Sequence, residues 1–171
     1  KQFFSNPSAG AVRFQEWAGR RRSRRGRAHL ARGAGLAKHG RFSAATLAFS
    51  AMIELDSSNA EGHHGHGVCQ LGLGNFDIAR DSFLLARDRA PLRDDIRNRL
   101  GLALRGLSLL QETTESFKRA LVLRPGSGEA LNNLADVLQA RGLEKAAFTG
   151  FARTLAVIPT SAGAHSNLGG A

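Results

Sequence analysis

Three side chains that commonly bind metal ions lie close together in the chain. His63, His66 and Cys69 follow one another at intervals of three residues, and imidazole and thiolate are preferred ligands of zinc. Steps of three residues drift around a helix, so these side chains would spread over one broad face. Structural zinc sites combine two pairs of Cys/His ligands, and no second pair accompanies these residues. We therefore expect packing and hydrogen bonding from the histidines, and we expect no metal or other cofactor.

A run of arginines near the start of the chain is the second candidate site. The run consists of Arg20, Arg21, Arg22, Arg24, Arg25 and Arg27. The segment before Glu54 holds eleven lysines and arginines but one acid, Glu16, so it carries the whole net charge of +10. Clustered arginines are typical of proteins that bind acidic surfaces or nucleic-acid phosphates.

Three interpretations of the arginine run stay open at this point. It is a solvated basic linker, a contact surface for an acidic protein or for RNA, or the end of an organellar transit peptide, which would be rich in arginine and poor in acids. The last of these favours a location in a mitochondrion or plastid. We take contact with an acidic partner as the working hypothesis.

Motifs of catalysis are absent from the sequence. The glycines of Leu71–Asn75 fall at a predicted helix end rather than after a strand, so they do not form a phosphate-binding loop. The paired acids Asp94 and Asp95 open a predicted helix, where negative charge is favourable. No apolar run approaches the length of a membrane span. The sequence therefore predicts a protein that is not an enzyme and has no transmembrane segment.

A fixed period governs most of the chain. Two columns of residues keep a spacing of 34: Phe49, Phe83, Phe117 and Phe151, and Pro91, Pro125 and Pro159. Each unit shows two amphipathic helical patterns, separated by a glycine and closed by the proline. One such hairpin cannot bury its apolar face alone, but stacked neighbours can. The period predicts an all-α, right-handed solenoid of stacked helix–turn–helix repeats.

The repeat pattern resembles the tetratricopeptide repeat. Small residues at positions eight and twenty, a glycine at fifteen, the phenylalanine at twenty-four and the proline at thirty-two carry this resemblance. Two domains are predicted: a basic arm at 1–25, where Phe14 and Trp17 favour a short capping helix, and a solenoid at 26–171. The predicted repeats span 26–59, 60–93, 94–127 and 128–161, with a partial one at 162–171.

The resemblance implies a concave groove lined by the first helix of each repeat. Its predicted lining residues are His64, Asn98, Arg99, Arg105, Asn132, Asn133, Asp136 and Gln139. Asn133 and Asn167 share position six, which is similar to the asparagine ladder of the repeats in O-GlcNAc transferases. Position nine is Ala34 in the first repeat and Val68 in the second, so the carboxylate clamp of chaperone-binding members, which needs asparagine there, is excluded.

Repeats of this kind imply a scaffold for other proteins. We expect a non-catalytic scaffold or assembly subunit that binds a partner segment in the groove, with a basic N-terminal arm that contacts an acidic partner. Its partners would be other protein subunits of a larger assembly. Two alternatives remain: the substrate-recognition arm of a larger enzyme, such as a glycosyltransferase, or an RNA-contacting subunit of a large complex.

Overall fold

The computed structural model describes the backbone of residues 9–169 and the side chains of residues 18–168. This part of the chain folds into helices and contains no strand. The first helices of the repeats are α1 (Ala9–Lys38), α3 (Ala60–Gly72), α5 (Asp94–Gly106), α7 (Gly128–Ala140) and α9 (Ala162–Gly169). The second helices are α2 (Phe42–Leu55), α4 (Phe76–Arg89), α6 (Leu110–Leu123) and α8 (Glu144–Val157).

Helix α1 crosses the predicted boundary between the arm and the solenoid. It is continuous from Ala9 to Lys38, so the predicted capping helix and the first repeat helix are one element. Arginine is a good helix former, and no proline lies between Pro7 and the end of α1 at Lys38. The arginine run is therefore helical over its whole length instead of forming a linker. Residues 1–8 of the predicted arm lie outside the described part of the chain.

The phenylalanine column forms the core of the repeats, as predicted. Phe49, Phe83, Phe117 and Phe151 are exposed by only 5%, 0%, 0% and 1%. In the first three repeats the ring packs on the glycine at position eight, where an added Cβ would lie within 3 Å of the ring. The fourth repeat differs, because position eight is Ala135 and the close approach is made instead by Gly150, whose Cβ would lie 2.8 Å from that of Ala135. A small residue on one of the two helices thus lets each pair approach.

The turn between the two helices of a repeat requires a left-handed backbone at position fifteen. Gly40, Gly74 and Gly142 have φ angles of 70°, 78° and 72° there. In the third repeat the residue is Ser108, with a φ angle of 60°. A residue with a Cβ pays roughly 1–2 kcal/mol for this conformation.

Replacing Ser108 by glycine should therefore stabilise the protein. We expect the free energy of unfolding to rise by about 1 kcal/mol, since the relief of backbone strain exceeds the entropic cost of glycine in the unfolded chain. Equilibrium denaturation in urea measures the change. The reverse substitution, Gly142→Ser, is the matched control and should destabilise the fourth turn by a similar amount. A loss of stability in S108G would contradict this account of the turn.

Each helix packs on its neighbours in sequence, and the first helices of adjacent repeats also touch. Contacts join α1 to α2, α2 to α3 and so on to α9, and further contacts join α1 to α3, α3 to α5 and α5 to α7. The first helices therefore lie side by side along one surface. This is the α-solenoid that the 34-residue period predicts.

Candidate functional site: the concave groove

The histidines near Cys69 are engaged in hydrogen bonds within the solenoid. His63 Nε2 lies 2.9 Å from the carbonyl oxygen of Ser57, and His66 Nδ1 lies 2.9 Å from Ser82 Oγ. Cys69 is fully buried, and burial raises the pKa of its thiol. Among the side chains described, no cluster of three His, Cys, Asp or Glu residues could hold a metal ion.

The hydrogen bond of His63, which is the fourth residue of its repeat, recurs in two other repeats. His165 Nε2 lies 2.8 Å from the carbonyl oxygen of Pro159, which is the residue equivalent to Ser57. Arg97, also at position four, donates from Nη2 to the carbonyl oxygen of Pro91 at 3.1 Å. In these three repeats, the side chain at position four thus bonds to the carbonyl group at position thirty-two of the preceding repeat.

An apolar pocket lies in the groove between α1 and α3. Its walls are Leu30, Ala34, Ala37, Phe49 and Val68, and its cavity volume is about 290 Å³. Glu61, His64 and Gly65 complete the lining, and a Cβ added to Gly65 would lie 2.3 Å from the Phe49 ring. A glycine at position six thus gives the groove access to the edge of the core. The predicted site residues did not include these apolar ones.

Beside the pocket, His64 faces two acids and an arginine. Its Nδ1 lies 3.9 Å from Glu61 Oε2, and its Nε2 lies 3.7 Å from Asp95 Oδ2. Arg93 forms ion pairs with both acids. Burial lowers the pKa of His64, and the attraction of Asp95 does not offset it. Burial alone would raise the pKa of Asp95, but the hydrogen bonds and charge of Arg93 bring it below its ordinary value.

Arg93 was missed by the sequence analysis, because it occupies the last position of a repeat, outside the first helices. His64, by contrast, was predicted. Its Nε2 is buried and has no hydrogen-bond partner in the described structure, since 3.7 Å to Asp95 is too long for a hydrogen bond. This buried atom therefore has unused hydrogen-bonding capacity.

Two asparagines that were predicted to line the groove are buried between α5 and α7. Asn133 Nδ2 donates to Asn98 Oδ1 at 3.1 Å, and the two residues are exposed by only 9% and 4%. This bond pairs one polar atom of each amide in a position where an unpaired polar group would be costly. These side chains join neighbouring repeats and offer little surface to a ligand.

A second polar cluster surrounds Asp136. This carboxylate accepts hydrogen bonds from Asn132 Nδ2 at 3.2 Å and from Asn167 Nδ2 at 3.0 Å, and Arg105 Nη1 lies 3.8 Å away. Burial raises the pKa of Asp136, and the charge of Arg105 opposes this only in part. Asn132 Oδ1 is buried without a hydrogen-bond partner in the part of the chain that the structure describes.

The remaining predicted groove residues are Arg99 and Gln139. Arg99 Nη2 is 3.8 Å from Glu129 Oε1, and Gln139 is exposed. The structure therefore divides the groove into an apolar half, at α1 and α3, and a polar half, at α5 and α7. Asn133 and Asn167 bond to Asn98 and Asp136 rather than forming one continuous ladder.

Comparison with known proteins decides the family. No protein-family model matches the chain. A TPR repeat-containing protein of Arabidopsis thaliana is 30% identical over 114 residues, which make up 62% of this chain and 14% of that relative. The crystal structure of MamA superposes with a TM-score of 0.75 at 20% identity, over 80% of each chain.

A second solved structure has the same architecture. It is YrrB, described as a TPR protein with an unusual peptide-binding site, with a TM-score of 0.71 at 24% identity over 82% of this chain and 73% of YrrB. The chain is built of tetratricopeptide repeats. It spans 14% of the length of the Arabidopsis relative. The structural likenesses show the fold alone.

The tetratricopeptide repeats continue into a basic surface on α1. Arg20, Arg24 and Arg27 share one face of this helix with Ser23, to which Arg27 Nη1 donates at 2.7 Å. Arg22 lies at the other edge, beside Met52 and Asp56, and Arg21 and Arg25 are exposed. The predicted run is therefore brought together on one helix that leads directly into the groove.

No ion pair joins Arg24, Arg25 or Arg27 to any acid whose side chain is described. In the described part of the chain, no helix is both long enough and apolar enough to cross a membrane.

Proposed function

We propose that the chain is a non-catalytic scaffold that binds a segment of another protein in its concave groove, while the arginines of α1 contact an acidic partner. The observation that carries this proposal is the apolar pocket in the groove between α1 and α3. His64 Nε2 and Asn132 Oδ1 both occupy position five of their repeats and both lack a hydrogen-bond partner in the described structure. A peptide has apolar side chains that could fill the pocket and polar backbone groups that could form hydrogen bonds.

The two halves of the groove would take different parts of the ligand. The pocket between Leu30, Ala34 and Val68 suits one large apolar side chain, which is worth about 1.5–3 kcal/mol when fully buried. Asn132 Oδ1 and His64 Nε2 are buried, so these two side chains would have to rotate before N–H groups of the same segment could donate to them. The peptide-binding site described for YrrB, a protein of the same fold, supports this reading.

Replacing Ala34 by glutamate should weaken this binding without unfolding the protein. Ala34 is exposed and lines the pocket, so the new carboxylate would meet the apolar anchor of the ligand instead of the core. We expect affinity to fall by about 10- to 100-fold, the loss of one buried apolar side chain. Peptides selected from a displayed random library on the native protein serve as ligands, and fluorescence anisotropy measures their affinity.

Ala28→Glu is the matched control for this experiment. Ala28 is an exposed residue of the same helix and does not line the pocket. It adds the same charge to the same basic helix, so it should leave the affinity within about twofold. The proposal fails if the library yields no ligand with an apolar anchor, or if A34E binds the selected peptides as tightly as A28E does.

A further inference from the structure

A second groove lies on a different surface, between helices α4 and α6. We call it the α4–α6 groove. Its floor is apolar and consists of Leu84, Leu100 and Leu104, and its cavity volume is about 550 Å³. Four arginines surround this floor: Arg80, Arg87, Arg97 and Arg119. The groove shares none of the residues that line the concave pocket.

Three of these arginines have weak partners or none, and the fourth, Arg97, donates to the carbonyl oxygen of Pro91. Arg80 and Arg87 pair with Asp81 and Asp88, the next residue along the helix, at 2.8 Å in each case. Both acids are more than half exposed, so solvent screens these pairs. Arg119 has no hydrogen bond or ion pair with any described residue. Four arginines and two glutamates, Glu112 and Glu115, therefore surround the apolar floor and leave an excess of positive charge there.

The repeats provide an internal comparison. In the preceding groove the residues equivalent to Arg80, Arg87 and Arg97 are Thr46, Ile53 and His63, and in the following groove they are Thr114, Leu121 and Leu131. The solenoid thus tolerates neutral side chains at all three positions. Their joint replacement by arginine is confined to one of the three junctions.

The clustering has a physical cost. Burial lowers the pKa of Arg97, and the positive charges of Arg87 and Arg119 lower it further. Like charges held together at a partly buried site destabilise a fold, and a bound anion removes that repulsion. The side chains around the floor would therefore gain from an acidic ligand that also covers the leucines.

We propose that the α4–α6 groove binds an acidic, amphipathic segment of a partner protein. Its carboxylates contact Arg97 and Arg119, and its apolar side chains cover Leu84, Leu100 and Leu104. A nucleic acid fits less well, because the floor of the groove is apolar and no aromatic side chain lines it for base stacking. This site is independent of the concave groove.

The test uses a helical probe peptide of leucines and glutamates, with leucine on one face and glutamate on the other. Its affinity is measured by fluorescence anisotropy in a protein with Arg24, Arg25 and Arg27 replaced by glutamine, so that α1 does not compete. Arg97→His is the decisive variant, because His63 and His165 make the same position-four hydrogen bond without a permanent charge. Arg119→Gln is the second.

Arg153→Gln is the control, since Arg153 is the equivalent of Arg119 in the next groove, where the other arginines are missing. We expect R97H and R119Q each to weaken binding by about tenfold, as the loss of a charge-assisted contact does, and R153Q to leave it unchanged. A probe with glutamine in place of glutamate should not bind. The proposal is overturned if the acidic probe does not bind, if R153Q weakens it equally, or if a single-stranded oligonucleotide of equal charge binds more tightly in an R119Q-sensitive manner.

Discussion

Replacing Phe117 by alanine is expected to lower the free energy of unfolding by about 3–5 kcal/mol, the range for truncating a fully buried phenylalanine. The ring is completely buried. It packs so closely on α5 that a Cβ on Gly101 would lie 2.4 Å from its edge. Glycine has no side chain that could move into the space left by the ring. The cavity should therefore persist, and its cost should add to the lost apolar burial.

Urea denaturation followed by circular dichroism measures this effect. Phe148→Ala is the control within the same chain, because Phe148 is 55% exposed and should lose less than about 1 kcal/mol. The dependence of the unfolding free energy on urea must stay constant for the comparison to hold. A loss below about 1 kcal/mol in F117A would show that the third repeat is loosely packed.

Replacing Arg24, Arg25 and Arg27 together by glutamine is expected to weaken binding to polyglutamate by tenfold or more, at about 10 mM salt. The side chains of α1 that the structure describes, from Ala18 to Lys38, include no acid, and none of the three arginines pairs with a described carboxylate. At low salt, charges act over roughly 30 Å, whereas at physiological salt the range falls to about 8 Å. The difference between native and substituted protein should therefore shrink as salt is added.

The matched control replaces Lys118, Lys145 and Arg153 by glutamine. It removes the same charge from exposed positions of the solenoid body and should change the affinity much less. Glutamine preserves helix propensity, so α1 stays intact and circular dichroism verifies this. Equal effects of the two triple substitutions would mean that net charge alone attracts the polymer. A single-stranded oligonucleotide tested in parallel distinguishes a nucleic-acid partner from an acidic protein.

The solenoid and its core could be predicted because the signal repeats. Phe83 and Phe117 occupy one position in successive units, so a single packing rule accounts for each of them. Ser108 adopts the left-handed backbone of Gly74 because the turn between the two helices is the same in every repeat. The continuity of α1 was not predicted: the capping helix and the first repeat were treated as separate elements, and a linker was one of three interpretations of the arginine run between them. Helix propensity favours a continuous helix through this run.

The candidate site was harder to predict because its residues act across repeats. Sequence position placed Asn98 and Asn133 in the groove, but only a distance shows that each satisfies the other. Arg93 escaped notice because it follows the helices that line the groove. The signal for the apolar pocket was Gly65, a glycine at a position where other repeats carry Arg99 or Asn133. Comparison of equivalent positions would have singled it out.

The packing of each helix on its immediate neighbours has a mechanical consequence. The contacts that hold the described chain together join consecutive helices or the first helices of consecutive repeats. A pulling force on one end therefore reaches the other only by passing through every junction in turn, as in a chain of links. The weakest junction therefore sets the force at which the solenoid begins to unfold. A partner segment that binds across two repeats would stabilise the junction between them.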